Sequence, residues 1–467
     1  MKRFPGLLLA LLLLPSPASA QPPLPAAPPA PKDPAAAATE LIDRLAKGDF
    51  QTAASNFAGA MRAAAPPEKL SEIWTSLQAQ MGPYERRTGV RTQKQGPYEM
   101  ALVTAEFQRS TVDFKVVVDD QGRIAGFFIA GSKPRPGAEP EYTPPAYVHK
   151  EAFQEREVTV GSGEWALPGT LSMPVGTGPF PALVLVHGSG PNDRDETVEA
   201  NRPFRDLAWG LASRGIAVLR YEKRTRAHGA QLAGVKDFTV RQETVDDALA
   251  AADLLRHTGG IDPKRVFVLG HSLGGMLIPR IGQRDPHLAG LIVMAGAARP
   301  LEDIILEQVS YLAAADDQVT DAEKSQIESL RAEVARVKAL KPGDTGTALG
   351  APDSYWLDLH GYNPPEAAKA LKEPLLILQG ERDYQVTMDN FEAWKKTLAG
   401  HPGVTFKTYP KLNHLFVEGE GKSTPAEYGK PGHVAEAAIA DIAGWITASP
   451  QTKSPPPAPS APGRPRR

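Results

Sequence analysis

The chain has 467 residues, a formal net charge of −2 and 42% hydrophobic residues. That is long for one domain, so two folded units with appendages are expected, and the near-neutral balance excludes a charge-driven nucleic-acid or polyanionic partner. With no cysteine, disulfides, thiolate metal sites, a cysteine nucleophile and a lipid-acceptor cysteine are excluded.

Residues 1–20 read as a secretory signal peptide. Lys2 and Arg3 precede a short apolar run, Leu7 to Leu14, and Ala18-Ser19-Ala20 is an A-x-A cleavage site. The run is too short to span a bilayer. The mature protein is therefore expected to be exported, periplasmic or secreted, with no integral membrane segment. Residues 21–34 are a Pro- and Ala-rich spacer that cannot bury a core. Residues 449–467, ending Arg464-Pro465-Arg466-Arg467, are expected to be a solvated, disordered tail.

Residues 35–131 predict a small α+β domain. Helices are expected over Thr39 to Lys47, Phe50 to Ala63 and Lys69 to Met81. Strands are expected over Tyr98 to Phe107, Thr111 to Asp119 and Ile124 to Ile129, the last two joined at Asp120-Gln121-Gly122. The layout resembles nuclear-transport-factor-like domains. No acid–base pair or metal cluster stands out in it, so it reads as a docking or dimerisation module, with a homodimer as the partner state to test. Residues 132–150 form a Pro-rich linker.

From residue 151 to 448 strands alternate with helices, which predicts a mostly parallel sheet covered on both faces. Glu157 to Val160 and Gly169 to Met173 read as an edge hairpin. Pro181 to Val186, Gly215 to Tyr221, Val266 to Leu269 and Gly290 to Met294 read as strands, with a helix over Arg241 to His257. Residues of about 300–372 are too many for a simple crossover and predict a helical insertion. In it, Thr320-Asp321-Ala322-Glu323 is a capping box, followed by Ile327, Leu330, Val334, Val337 and Leu340 at helical spacing. Pro374 to Gln379 and Val404 to Tyr409 are the last two strands.

The chemistry-bearing residues fall at strand ends. Gly270-His271-Ser272-Leu273-Gly274 is a G-x-S-x-G between a strand and a helix. G-x-S-x-G alone means little in a chain with 42 glycines; strand, motif and helix together mean much more. A serine nucleophile needs a base, and the base needs a carboxylate. Asp383 follows one later strand and His414 the next, with Glu381 the nearest rival acid. A negatively charged intermediate needs preorganised N–H donors. Leu273 is expected to give one. The loop His187-Gly188-Ser189-Gly190 is expected to give the other, from Ser189 ahead of Gly190. His187 reads as a loop organiser. Gly190, His271, Tyr355 and Trp356 are candidate substrate contacts. No metal or cofactor is required.

The order His187-Gly188, Gly270 to Gly274, Asp383 and His414 resembles the α/β-hydrolase superfamily. His187-Gly188-Ser189-Gly190-Pro191-Asn192-Asp193-Arg194-Asp195, Arg220-Tyr221-Glu222-Lys223-Arg224 and Gln379 to Val386 look like a bacterial carboxylesterase subfamily. The resemblance spans roughly residues 151–448. It implies that the insertion of about 300–372 is a helical cap. It also implies a serine esterase acting on small, short-acyl esters through Ser272, His414 and Asp383, behind an extra N-terminal domain. Peptidase or acyl-transfer chemistry on the same residues, and a non-catalytic binding protein of the same fold, are the alternatives.

Overall fold

The computed structural model describes residues 33–449, apart from 96–97, 136–141, 233–234 and 316–318. The expected signal peptide, most of the expected spacer, part of the expected linker and the residues beyond Ser449 lie outside the described residues. Two compact units divide between Thr143 and Pro144.

In the first unit, strands β1 (Tyr84–Gln95), β2 (Tyr98–Phe107), β3 (Ser110–Val118) and β4 (Ile124–Pro134) form an antiparallel sheet in that order. Val112, Phe114, Val116 and Val118 point alternately inward from β3. They meet Leu41, Ile42 and Leu45 of the helix Pro34–Ala46 and Trp74 of the helix Pro67–Met81 in one core.

Two expectations need correction. The helix expected over Phe50 to Ala63 is broken into Phe50–Ser55 and Gly59–Ala64. Between them the chain pairs with the start of β4, Ile124 donating to the Asn56 carbonyl and Ala58 to the Ile124 carbonyl. Strand β1 was not expected, because Tyr-Glu-Arg-Arg-Thr-Gly-Val-Arg has no apolar alternation. It is an edge strand, where charge is a protection against mispairing. Its Arg86 and Arg87 pair with Glu106 and Asp43.

The second unit is built on eight strands: β5 (Phe153–Val160), β6 (Leu167–Pro174), β7 (Phe180–Val186), β8 (Ala217–Tyr221), β9 (Ile261–His271), β10 (Gly290–Met294), β11 (Leu375–Gly380) and β12 (Val404–Tyr409). Their order is β12-β11-β10-β9-β7-β8-β6-β5. Strands β7 to β12 are parallel to their neighbours in that set; β5 and β6 add an antiparallel edge. The segment Asp262 to Arg265 is an irregularity within β9, where the register with β7 slips.

The connection from β7 goes to one side, to β8, and β9 lies on the other. Strand order reverses there, and in open α/β sheets the carboxyl ends at such a switch point are where ligands bind. The insertion after β10 carries the helices Leu301–Ala313, Asp321–Lys338 and Asp353–Leu359. Both halves of the capping box form: Thr320 Oγ1 accepts from the Glu323 amide, and the Thr320 amide donates to Glu323 Oε2. Leu301, Ile304, Val337, Leu340 and Trp356 join the main core, so the insertion is continuous with the sheet's packing.

Trp394 is 1% exposed. Its Nε1 donates to the Gly296 carbonyl at 2.9 Å. Gly296 lies so close to Gly275 that a Cβ on it would stand 2.9 Å from the Gly275 carbonyl carbon. Trp394→Phe is expected to destabilise this unit by about 1–3 kcal/mol, the cost of stranding a buried acceptor. Urea unfolding followed by fluorescence checks it; an unchanged midpoint contradicts it.

Candidate active site

Strand β9 ends at His271 and the helix Leu273–Arg284 begins one residue after Ser272. Ser272 is held between them at φ 55°, ψ −115°. A serine there costs about 1–3 kcal/mol, so the surroundings must impose it. Its amide donates to the Met294 carbonyl at 3.0 Å and its carbonyl accepts from Met276 at 2.9 Å. The glycines beside it are obligatory. A Cβ on Gly270 would lie 2.2 Å from the Gly274 carbonyl oxygen, and one on Gly274 would lie 2.3 Å from that of Val186.

Asp383 and His414 meet. His414 Nδ1 lies 2.7 Å from Asp383 Oδ2, and both residues are buried. The same oxygen accepts from Gln379 Nε2 at 3.0 Å. Asp383 Oδ1 accepts the Gln385 and Val386 amides at 2.8 and 2.9 Å. The carboxylate is thus fixed from every side by donors, and its orientation cannot drift. Asn413 shapes the next loop, its Oδ1 accepting from the Leu415 and Val417 amides. Glu381, the rival acid, is exposed and accepts from Thr408 Oγ1 instead.

The loop after β7 reaches Ser272. A Cβ on Gly188 would stand 3.0 Å from Ser272 Cβ and 3.5 Å from its Oγ. Gly188 is held at both ends. Its amide donates to Glu196 Oε1 at 2.6 Å, and its carbonyl accepts from Lys223 Nζ at 2.7 Å and Asn192 Nδ2 at 3.1 Å. Ser189 and Gly190 are exposed, Gly190 at φ 93°. His187 is buried with Nε2 3.0 Å from the Asp193 carbonyl, as expected of a loop organiser. Burial pushes its pKa down to about 4, so it stays neutral near pH 7.

Residues 183–428 match the model of a family described as the alpha/beta hydrolase family. Residues 38–127 match a family described as a protein of unknown function (DUF3887). Esterase EstD of Thermotoga maritima is 39% identical over 406 residues, which covers 87% of this chain and 93% of that protein. The chain belongs to the α/β-hydrolase family. Solved structures that resemble it include 2,6-dihydroxy-pseudo-oxynicotine hydrolase, at 16% identity and a TM-score of 0.40, covering 63% of this chain and 67% of that one. Est1E from Butyrivibrio proteoclasticus is similar at 16% identity and a TM-score of 0.41, covering 62% of this chain and 99% of that one.

Three of this hydrolase's candidate substrate contacts have other occupations. His271 is 3% exposed; its Nδ1 lies 2.8 Å from Glu196 Oε2 and its Nε2 lies 3.0 Å from the His414 carbonyl. The Tyr355 hydroxyl donates to Glu243 Oε2 at 2.9 Å, and Trp356 Nε1 donates to the Ala348 carbonyl at 2.7 Å. Their polar atoms are therefore engaged within the protein. The aromatic side chains next to Asp383 and His414 are others. Tyr384 follows Asp383 and stacks on Tyr311 of the insertion, ring centroids 5.0 Å apart, in a cluster with Leu415 and Tyr428.

Lys223 lies in the Arg220 to Arg224 motif but carries no role readable from sequence, and Glu196 and Glu243 stand outside the motifs, yet all three are buried. Glu196 was one residue beyond the motif that was read. Glu243 was hidden because the expected regular helix begins instead with a wider π-type turn, Arg241–Val245. Among the described residues, no group of three or more His, Asp or Glu is placed to hold a metal ion.

Burial opposes charge on His271, but Glu196 and the His414 carbonyl outweigh it and hold the imidazole above its ordinary pKa. Glu196, opposed by burial in the same way, is held below its own by His271. The raised histidine stabilises the fold fully below about pH 6.5, its unfolded pKa, and loses that contribution as the pH rises through the folded value. Glu196→Gln is expected to cost about 3 kcal/mol at pH 6 and to abolish that alkaline decline. Urea midpoints from about pH 6 to about pH 9 test this; an equally steep decline in the variant contradicts it.

Proposed function

We propose that this hydrolase is an exported serine carboxylesterase acting on small carboxylic esters with short acyl chains. One observation carries the reading: a carboxylate and an imidazole 2.7 Å apart at successive strand ends, in a chain whose strand-to-helix elbow holds a serine at φ 55°. The 39% identity to an esterase across most of both chains supports ester substrates. The preference for short acyl chains rests on the subfamily resemblance of the His187 to Asp195, Arg220 to Arg224 and Gln379 to Val386 motifs. The Ala18-Ser19-Ala20 leader supports export.

In this reading Ser272 Oγ attacks the ester carbonyl while His414 Nε2 takes its proton. Asp383 holds the Nδ1–H tautomer and stabilises the imidazolium. The carbonyl oxygen becomes an oxyanion held by the Leu273 and Ser189 amides. The C–O bond to the alcohol breaks, and His414 returns the proton to the leaving oxygen. Water then attacks the acyl-enzyme by the same route, freeing the acid and Ser272.

The test is hydrolysis of p-nitrophenyl esters from acetyl to dodecanoyl by the mature protein. Activity is expected to peak at short chains. Ser272→Ala and His414→Ala should each lower kcat by about 10⁴-fold or more without unfolding the protein. A folded wild type that hydrolyses none of the series refutes the reading, and an active Ser272→Ala variant refutes the assigned nucleophile.

A further inference from the structure

The second sequence signature, Arg220 to Arg224, has no part in the chemistry above, yet it places a cation against the oxyanion loop. Lys223 is 2% exposed. A lysine is almost never that buried unless paired. Its Nζ lies 3.2 Å from Glu243 Oε1 and donates to the Gly188 carbonyl at 2.7 Å. Glu243 is itself buried, and its other oxygen accepts from the Tyr355 hydroxyl at 2.9 Å. The three side chains form a line that ends on one peptide.

That peptide is the one joining Gly188 to Ser189. Its carbonyl faces Lys223, and its N–H is the Ser189 amide. A peptide group is planar, so fixing the C=O direction fixes the N–H direction. A cation on the oxygen also draws electron density from the nitrogen and strengthens the N–H as a donor, as successive hydrogen bonds polarise one another. Asn192 adds a second donor to the same oxygen at 3.1 Å, and its own carbonyl accepts from the Lys223 amide at 3.1 Å. The signature and the Pro191-Asn192-Asp193 loop are thereby locked together.

Accordingly, we propose that Lys223 is a positioning residue for ester hydrolysis: held by Glu243 and Tyr355, it orients and polarises the Gly188–Ser189 peptide so that the Ser189 amide is preset for the oxyanion. This rests on the esterase reading of the site. An ion pair serving only stability is replaceable by uncharged side chains of similar shape. One that presets a donor is not, because the loss falls on the transition state.

The decisive variant is the full chain carrying Lys223→Met with Glu243→Gln, which removes both charges and keeps both shapes. Its melting temperature is expected to stay near the wild type's. With p-nitrophenyl acetate, kcat is expected to fall about 10- to 100-fold with KM nearly unchanged, short of the loss for deleting an oxyanion donor outright. Inhibition by a trifluoromethyl ketone, whose serine adduct carries an oxyanion, should weaken by the same factor as kcat/KM. A folded double variant with wild-type kcat and inhibition overturns the inference alone, the wild type being active and Ser272-dependent. A wild type inert on every ester removes the esterase reading and this inference with it. Should the double variant not fold, Tyr355→Phe, which changes neither charge nor shape, is expected to lower kcat several-fold at constant KM; an unchanged kcat there overturns the inference.

Discussion

The backbone of Ser272 is the constraint on which the site depends. A serine at φ 55° is unfavourable in isolation. It is held there because β9 and the helix Leu273–Arg284 must both stay in the core, and only one residue is left to turn between them. The approach is so close that Gly270 and Gly274 admit no Cβ. Strain at one residue is thus carried by the burial of two whole elements. The same sheet order that makes this turn also brings the loop after β7 against it.

Much of this was legible in the sequence. Gly290 to Met294 matches its strand to the residue because a buried parallel strand tolerates little but apolar side chains, and Val404 to Tyr409 matches because its half-buried and exposed residues alternate as an edge strand requires. Asp383 and His414 were legible because each lies in the loop after one of the last two strands. What escaped was structure whose cause is tertiary. Strand β1 is polar because it is an edge. The helix after Phe50 breaks because β4 competes for the backbone of residues 56–58.

The buried charges were illegible for a different reason. Lys223, Glu243, Glu196 and His271 look like surface residues in a sequence, and burying any one alone would cost several kcal/mol. They are tolerated as a set, each supplying the partner that the next requires. Such pairs add little net stability over apolar side chains, so their concentration around the Gly188 peptide is better understood as positional. Glu196 fixes that residue's amide and Lys223 its carbonyl, while His271 ties the elbow to the His414 carbonyl. A loop of small residues, flexible by composition, is made rigid by its neighbours.

The central claim is that Ser272 is an activated nucleophile. The most direct measurement is mass spectrometry of the protein after reaction with a fluorophosphonate, with the adduct located by peptide mapping. The account predicts one adduct, on Ser272, formed much more slowly when Asp383 is replaced by Asn. No adduct on the folded protein, or an adduct on another serine, would contradict it.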